Sequence, residues 1–233
     1  MHLTHLGHSC LLVDVDGARI LIDPGGFSDV DGVRDLSAIL VTHTHPDHLD
    51  PSAIPPLLRD NPKAELWLES EAGDRLNSSE PQLGKNIQRM QSGQTLTFGA
   101  VTVTPVGKKH ALIHDYVPQP DNIGLIVTSG GNDAEGNNAD DTLTLFHPGD
   151  ALDVEHDLLN NLDVLCVPIN APWASIAGTV EFVRRLAPKR VVPIHDGLLN
   201  EPGRSMYIGH IQKFGADGGV SVLDLRGQGP TEL

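Results

Sequence analysis

The feature that most constrains this chain is a cluster of histidines and one aspartate at positions 43 to 48. Three imidazoles and a carboxylate lie in the run Thr42-His43-Thr44-His45-Pro46-Asp47-His48. The apolar residues 38–41 lead directly into it and are typical of a short strand buried on both faces. A strand continued into the run would place His43 and His45 on one face, because side chains alternate with period two. The bend at Pro46 then sets Asp47 and His48 apart, so one loop could supply two adjacent metal ions.

Imidazole and carboxylate side chains suit zinc and other borderline divalent ions, whose catalytic sites keep an open position for water. Mn²⁺ and Fe²⁺ accept the same nitrogen and oxygen ligands. A purely structural zinc site is usually closed and often rich in thiolates, whereas this run has none. Chance clustering on a polar surface and a stabilising metal are the alternatives. We predict a catalytic site with zinc as the first candidate.

The composition is that of an ordinary globular protein, with 39% hydrophobic and 20% charged residues. No segment resembles an interdomain linker, so residues 1–233 are expected to form one domain. The net charge of -15 would repel phosphate backbones and anionic lipids, which argues against nucleic acid as a partner. Oligomeric state leaves no readable pattern in the sequence.

Several features predict a cytoplasmic protein that does not enter a membrane. The N-terminal residues lack the basic and apolar regions of a signal peptide, and no apolar run reaches membrane-spanning length. Cys10 and Cys166 are the only cysteines, which is unlike a secreted disulfide framework. A single bridge between these two cysteines stays open at this point.

Hydrophobic periodicity predicts a first half rich in hairpins and a second half in which strands alternate with helices. Asp16-Gly17 is typical of a tight turn between strands at 11–15 and 19–22. Asp50-Pro51 resembles the start of a short helix that runs to about residue 58. Other strands are expected at 66–68, 95–98, 101–104, 123–128, 142–146, 164–167 and 190–192, with an exposed, mobile loop at 130–138 and a helix near 176–186. Two packed sheets covered by outer helices fit this pattern.

The histidine run resembles the signature of the metallo-β-lactamase superfamily, His-x-His-x-Asp-His, which matches His43, His45, Asp47 and His48 in full. The resemblance implies an α/β fold of four αββα layers, in which two mixed β-sheets are flanked by helices. It also calls for another histidine, a bridging aspartate and a last histidine, each at the end of a later strand.

Candidates for these three positions occur in the expected order. His110 follows the strand at 101–104, although His114, four residues beyond, stays open as the alternative. Asp150 follows a glycine turn after the strand at 142–146, and His195 ends the last strand. By the family's division of ligands, His43, His45 and His110 would hold one metal ion, Asp47, His48 and His195 would hold the second, and Asp150 would bridge the two.

Two earlier residues match further features of the family. Asp23 resembles the aspartate that accepts the second N–H of a histidine ligand. His8, in Gly7-His8-Ser9, resembles the start of small bacterial hydrolases similar to ascorbate-6-phosphate lactonase, and we place it with Asp47 among the candidate catalytic residues. Trp173, Tyr207 and His210 either line the substrate side or serve only in packing.

The resemblance implies a metal-dependent hydrolase acting on a small molecule. A water bridging two metal ions is acidified and attacks an ester, lactone, amide or phosphoester, while Asp47 orients it or moves a proton. A phosphodiesterase or ribonuclease of the same fold is an alternative, though the charge of -15 argues against RNA. A flavodiiron-like oxidoreductase would usually carry glutamate in place of His45. A non-catalytic metal-binding scaffold remains the third alternative.

Overall fold

A computed structural model describes residues 1–15, 17–130 and 142–233 and contains two seven-stranded β-sheets. The strands are β1 (His2–His5), β2 (Leu11–Val15), β3 (Ala18–Ile22), β4 (Ala38–Val41), β5 (Glu65–Leu68), β6 (Ile87–Arg89), β7 (Leu96–Phe98), β8 (Val101–Val106), β9 (Gly124–Ser129), β10 (Leu143–His147), β11 (Val164–Pro168), β12 (Arg190–Ile194), β13 (Ser221–Val222) and β14 (Thr231–Glu232). The helices are α1 (Ile54–Asp60), α2 (Ser70–Ser79), α3 (Ile176–Leu186) and α4 (Glu201–Phe214). Among the described residues, no helix combines the length and apolar character that crossing a membrane requires.

Both sheets are mixed. The first has the order β14-β1-β2-β3-β4-β5-β6, in which β3 to β6 run parallel and the other pairs are antiparallel. The second has the order β13-β12-β11-β10-β9-β8-β7, in which β10 to β13 run parallel. Parallel strands deliver their C-terminal ends to one edge of a sheet, where loops are free to carry functional side chains.

Three hydrophobic clusters define the layers. In β4, Ala38 and Leu40 face the central cluster between the sheets, whereas Ile39 and Val41 face an outer cluster. That outer cluster includes Ile54 and Leu57 of α1 and Ala72 and Leu76 of α2, and the outer cluster of the second sheet includes Phe182 of α3 and Ile211 of α4. The α/β fold with four αββα layers is therefore confirmed.

Several predicted local elements agree with the structure, and others differ. The hairpins β2–β3 and β7–β8 form where expected, although Asp16 and most of the predicted loop at 130–138 lie outside the described residues. The first helix begins at Ile54 rather than at Asp50, because the Asp50 carboxylate accepts the backbone N–H of Ser52 and holds a turn there. Helix α2, whose N-cap is Glu69, was not predicted.

The two cysteines are free thiols in different layers. Cys166 lies in the central cluster, whereas Cys10 belongs to the outer cluster of the first sheet. The bridge that the sequence left open is therefore absent. Burial raises the pKa of both thiols, which keeps them protonated and unreactive near neutral pH.

A buried ion pair ties α4 to the end of β12. The guanidinium of Arg204 donates to Asp196 at 2.6 Å and to Asp224 at 2.6 Å. The side chains of Arg204 and Asp196 are only 2% and 1% exposed. The two carboxylates, Asp224 and Asp196, raise the pKa of Arg204 above its already high usual value, so the guanidinium stays charged. Because Asp196 directly follows His195, this pair also anchors the loop that carries the last predicted ligand.

Replacing Arg204 should therefore destabilise the fold strongly. We expect Arg204→Ala to lower the free energy of unfolding by about 3 kcal/mol, because it removes the 2.6 Å partner of the buried Asp196 carboxylate and leaves only the longer contact of 3.5 Å with Arg226. Arg184→Ala is the matched control, since Arg184 pairs with Asp217, whose side chain is 95% exposed. That change should cost less than about 1 kcal/mol. Chemical denaturation at neutral pH measures both, and equal losses would contradict the assignment.

Candidate metal centre

The predicted ligands lie on four loops that meet at one edge of the two sheets. The histidine run follows β4, His110 follows β8, Asp150 follows β10, and His195 follows β12. A backbone bridge between His43 and Asn122 joins the two halves of the structure at this point. All seven predicted ligand residues therefore reach one small region, although they span more than 150 positions of the sequence.

The potential ligand atoms form two groups, within each of which all atoms lie within 4.8 Å of one another. The first group contains His43, His45, His110 and Asp150, and the second contains His8, Asp47, His48 and His195. The separation of the two groups follows the division that the family resemblance implied. His8 is the additional member, since the sequence placed it near the reaction but not among the ligands.

The Asp150 carboxylate reaches both groups. Its Oδ2 lies 3.2 Å from Nε2 of His110 in the first group and 3.2 Å from Nε2 of His195 in the second. Its Oδ1 lies 3.1 Å from Nε2 of His48. A single carboxylate between two sets of imidazoles has the geometry that a ligand shared by two cations needs.

The electrostatics of the site favour an ionised Asp150 and neutral imidazoles beside it. Burial alone would raise the pKa of Asp150, but His48 and His195 hold it well below its usual range. Burial lowers the pKa of His43 and His45. A neutral imidazole and an ionised carboxylate are the protonation states in which these side chains bind metal.

His48 has the opposite shift because it lies between two carboxylates. Burial works against its charged form, yet Asp150 and Asp23 together raise its pKa well above the ordinary value. Nδ1 of His48 lies 2.7 Å from Oδ2 of Asp23, which confirms the predicted contact between this early aspartate and a candidate ligand. Positive charge is therefore favoured at the position of His48.

Other candidate ligands are oriented in the same way, through Nδ1. His110 donates to the carbonyl of Ala111 at 2.6 Å, and His195 donates to the carbonyl of Asn170 at 2.6 Å. In a neutral ring this contact leaves the lone pair on Nε2, which faces Asp150. Within the described part of the chain, Nε2 of His48, Nε2 of His195 and Oδ1 of Asp150 are buried without a hydrogen-bond partner. Converging buried lone pairs of this kind fit divalent cations.

Asn122 supports the site, and nothing in the sequence marked it. Its side chain accepts the backbone N–H of Asp150 at 3.0 Å and donates to the carbonyl of Pro148 at 2.9 Å. Gly149 has a φ of +59°, and a Cβ there would lie 2.3 Å from the Asn122 side chain, so only glycine fits the turn. The turn that presents Asp150 is thus held by a residue from the loop before β9.

Trp173, whose role the sequence left open, lies beside the candidate ligands. Its indole N–H donates to Oδ2 of Asp150 at 3.0 Å, and its ring lies edge-on to His110 and His195.

The other residues that the sequence left open lie away from the ligands. Tyr207 packs on the outer cluster of the second sheet, and His210 hydrogen-bonds the carbonyl of Met206 within α4. His114 lies outside both ligand groups, and its Nδ1 accepts the backbone N–H of Tyr116.

Relatives of known sequence resemble the chain over most of its length. Protein Rv0786c of Mycobacterium tuberculosis is 40% identical over 215 residues, which cover 92% of each chain. A UPF0173 metal-dependent hydrolase of Methylobacterium nodulans is 29% identical over 223 residues, covering 84% of this chain and 85% of the relative. The shared length means that these relatives do not carry a large additional domain.

A solved structure and a family model agree with the fold. Igni18, a metallo hydrolase from the archaeon Ignicoccus hospitalis, superimposes with a TM-score of 0.69 at 20% identity, covering 99% of this chain and 97% of Igni18. The model of the Beta-lactamase superfamily domain matches residues 2–195, a range that includes both ligand groups. The chain therefore belongs to the metallo-β-lactamase superfamily, as its histidine run predicted.

Proposed function

We propose that this protein is a metal-dependent hydrolase that holds two divalent cations and acts on a small-molecule ester, lactone, amide or phosphoester. The observation that carries the proposal is the Asp150 carboxylate, which contacts imidazoles of both ligand groups from a fully enclosed position. Zinc is the first candidate for both cations, with Mn²⁺ and Fe²⁺ as alternatives that the same ligands accept. The Methylobacterium relative is named a metal-dependent hydrolase, which supports this assignment.

The proposed ligands divide between the two groups. His43, His45 and His110 would hold one cation, Asp47, His48 and His195 would hold the other, and the Asp150 carboxylate would be shared by both. Two cations held there would supply an acidified water as nucleophile and a Lewis acid for the electrophilic oxygen of the substrate. The protein orients the ligands through the hydrogen bonds to Nδ1 of His48, His110 and His195.

The substrate would approach from the side on which Asp47 and the half-buried His45 lie. The Asp47 side chain is 23% exposed, whereas Asp150 and the rings of His43 and His48 are at most 2% exposed. Burial tends to raise the pKa of Asp47, but the hydrogen bond from His8 and the charge of His48 lower it well below its usual value. An ionised carboxylate at the open side can orient water or accept a proton during the reaction.

The net charge and the cysteines refine the proposal. A charge of -15 opposes approach of a long polyanion, so we favour a small substrate over RNA. Two free, buried thiols are typical of proteins kept in a reducing compartment, and we place the enzyme in the cytoplasm.

Metal content tests the proposal directly. Protein purified without added metal should contain about two equivalents of divalent cation, measured by elemental analysis. His48→Ala and Asp150→Ala should each lower that content and abolish hydrolysis in assays on lactones, thioesters, phosphodiesters and β-lactams. His2→Ala, which changes an exposed histidine of β1, is the control and should alter neither quantity. A wild-type protein that binds no divalent metal, or two site variants with unchanged content, would refute the proposal.

The hydrogen bond from Trp173 should strengthen metal binding. Removing a residue that hydrogen-bonds a metal ligand without itself binding the metal typically lowers metal affinity by about 10- to 100-fold. We expect Trp173→Phe to weaken zinc binding by about tenfold, because the indole N–H to Asp150 is lost while the ring is kept. Competition with a chromophoric chelator measures this affinity.

Trp67 provides the matched control, because its indole N–H donates to Glu65 on β5 and not to any proposed ligand. Trp67→Phe should leave zinc affinity unchanged, and in this variant the remaining fluorescence of Trp173 should respond to added zinc. Equal affinities for Trp173→Phe and Trp67→Phe would show that the contact to Asp150 does not contribute.

A further inference from the structure

His8 differs from His48, His110 and His195 in what its Nδ1 contacts. The residue follows β1, its side chain is 1% exposed, and its Nε2 lies 3.1 Å from Oδ2 of Asp47. Its Nδ1 lies 3.0 Å from the backbone nitrogen of Gly197, which donates its N–H to the ring. In His48, His110 and His195, by contrast, Nδ1 faces an oxygen that only accepts.

This contact determines the tautomer of His8. Because the Gly197 amide is a donor, Nδ1 of His8 has to present its lone pair. A neutral imidazole carries one N–H, which then lies on Nε2 and donates to Asp47. Coordination of a metal through Nε2 would move that proton to Nδ1, where it would face the N–H of Gly197. Two opposed donors in a buried site are costly, so His8 is a poor ligand in spite of its proximity to the second group.

The backbone prevents His8 from turning away from this arrangement. Its φ of +55° is a strained conformation for a residue with a side chain. The strain is held in place because the His8 carbonyl accepts the backbone N–H of His195 at 2.9 Å. Phe27 packs edge-on against the ring at 5.2 Å between centroids. A Cβ at Gly197 would lie 3.0 Å from Nδ1 of His8, so the glycine permits this close approach.

Asp47 depends on His8 for its orientation. Among the described residues, no other side chain is placed to donate a hydrogen bond to Asp47 except His195, whose Nε2 lies 3.4 Å away and which we propose as a metal ligand. Asp47 is also the most exposed carboxylate of the site, and a carboxylate open to solvent is free to change rotamer. A fixed N–H donor at 3.1 Å selects one of these rotamers.

We propose that His8 is a positioning residue that binds no metal and instead donates Nε2–H to Asp47, holding this carboxylate towards the second cation. The inference rests on the proposed function, because it concerns how one proposed ligand is oriented. It assigns His8 a role distinct from the seven ligands and explains why a histidine at a strained backbone position is packed into the site.

Nitrogen-15 NMR of the zinc-loaded protein tests the tautomer. We expect His8 to carry its proton on Nε2, whereas His48, His110 and His195 carry theirs on Nδ1. The His8 signals are assigned by their loss in His8→Gln. A His8 ring protonated on Nδ1 in the zinc-loaded protein would overturn the inference. If the protein binds no metal, the proposed function fails, but the Nε2–H tautomer is still expected in the metal-free spectrum.

Two substitutions separate positioning from ligation. His8→Gln can keep both hydrogen bonds, since its amide oxygen accepts from Gly197 and its NH₂ group donates to Asp47. His8→Leu keeps the bulk but loses both bonds. At saturating zinc, both variants should retain about two equivalents, and the affinity for the weaker equivalent should fall about tenfold in His8→Leu and recover in His8→Gln.

Loss of one equivalent of zinc in the folded His8→Gln variant would identify His8 as a ligand and refute the inference. Weakened binding that His8→Gln fails to restore would refute it as well, because the role would then depend on the imidazole ring itself. Since His8→Gln is the less disruptive change, the test still decides the question if His8→Leu does not fold.

Discussion

The buried carboxylate of Asp150 is the group on which the arrangement of the site depends. At 2% exposure it needs compensating donors or positive charge, because an isolated buried carboxylate is strongly unfavourable. The indole N–H of Trp173 donates to it, and the Nε2 atoms of His48, His110 and His195 converge on it, so that a cation held between these rings and the carboxylate would supply the positive charge. Each of these side chains comes from a different loop, so four loops have to place a side chain next to this one carboxylate.

Histidines in this site are distinguished by what their Nδ1 atoms face. An accepting oxygen leaves Nε2 as a lone pair for a cation, as in His48, His110 and His195. A backbone N–H does the reverse, as in His8 and in His147, whose Nδ1 accepts from Gly149 and whose Nε2 faces the carbonyl of Ser9. For these five histidines, the hydrogen bond on the far side of the ring therefore determines which nitrogen carries the lone pair.

Most of the strands, the layers and the family could be predicted from the sequence because they depend on local patterns, whereas the short strands β6, β13 and β14 were not predicted. Residues 38–41 alternate between two cores, and the run from His43 to His48 matches a family signature at fixed spacing. The contacts of Asn122 and Trp173 with Asp150 could not be predicted, since they join residues 28 and 23 positions apart through loops without periodicity. Helix α2 was not predicted because its N-cap residue, Glu69, is not one of the usual N-cap residues.

The first strand and the last histidine loop belong to different sheets, yet they hold each other in place. The His8 carbonyl accepts the N–H of His195, and the Gly197 N–H returns a bond to the His8 ring. Between them, Asp196 is anchored by Arg204 on α4. A shift of α4 would therefore reach both His195 and, through His8, the Asp47 carboxylate. The second ligand group thus depends on packing between sheets, which is why a short Gly-His-Ser turn can influence residues that lie 39 and 187 positions later, Asp47 and His195.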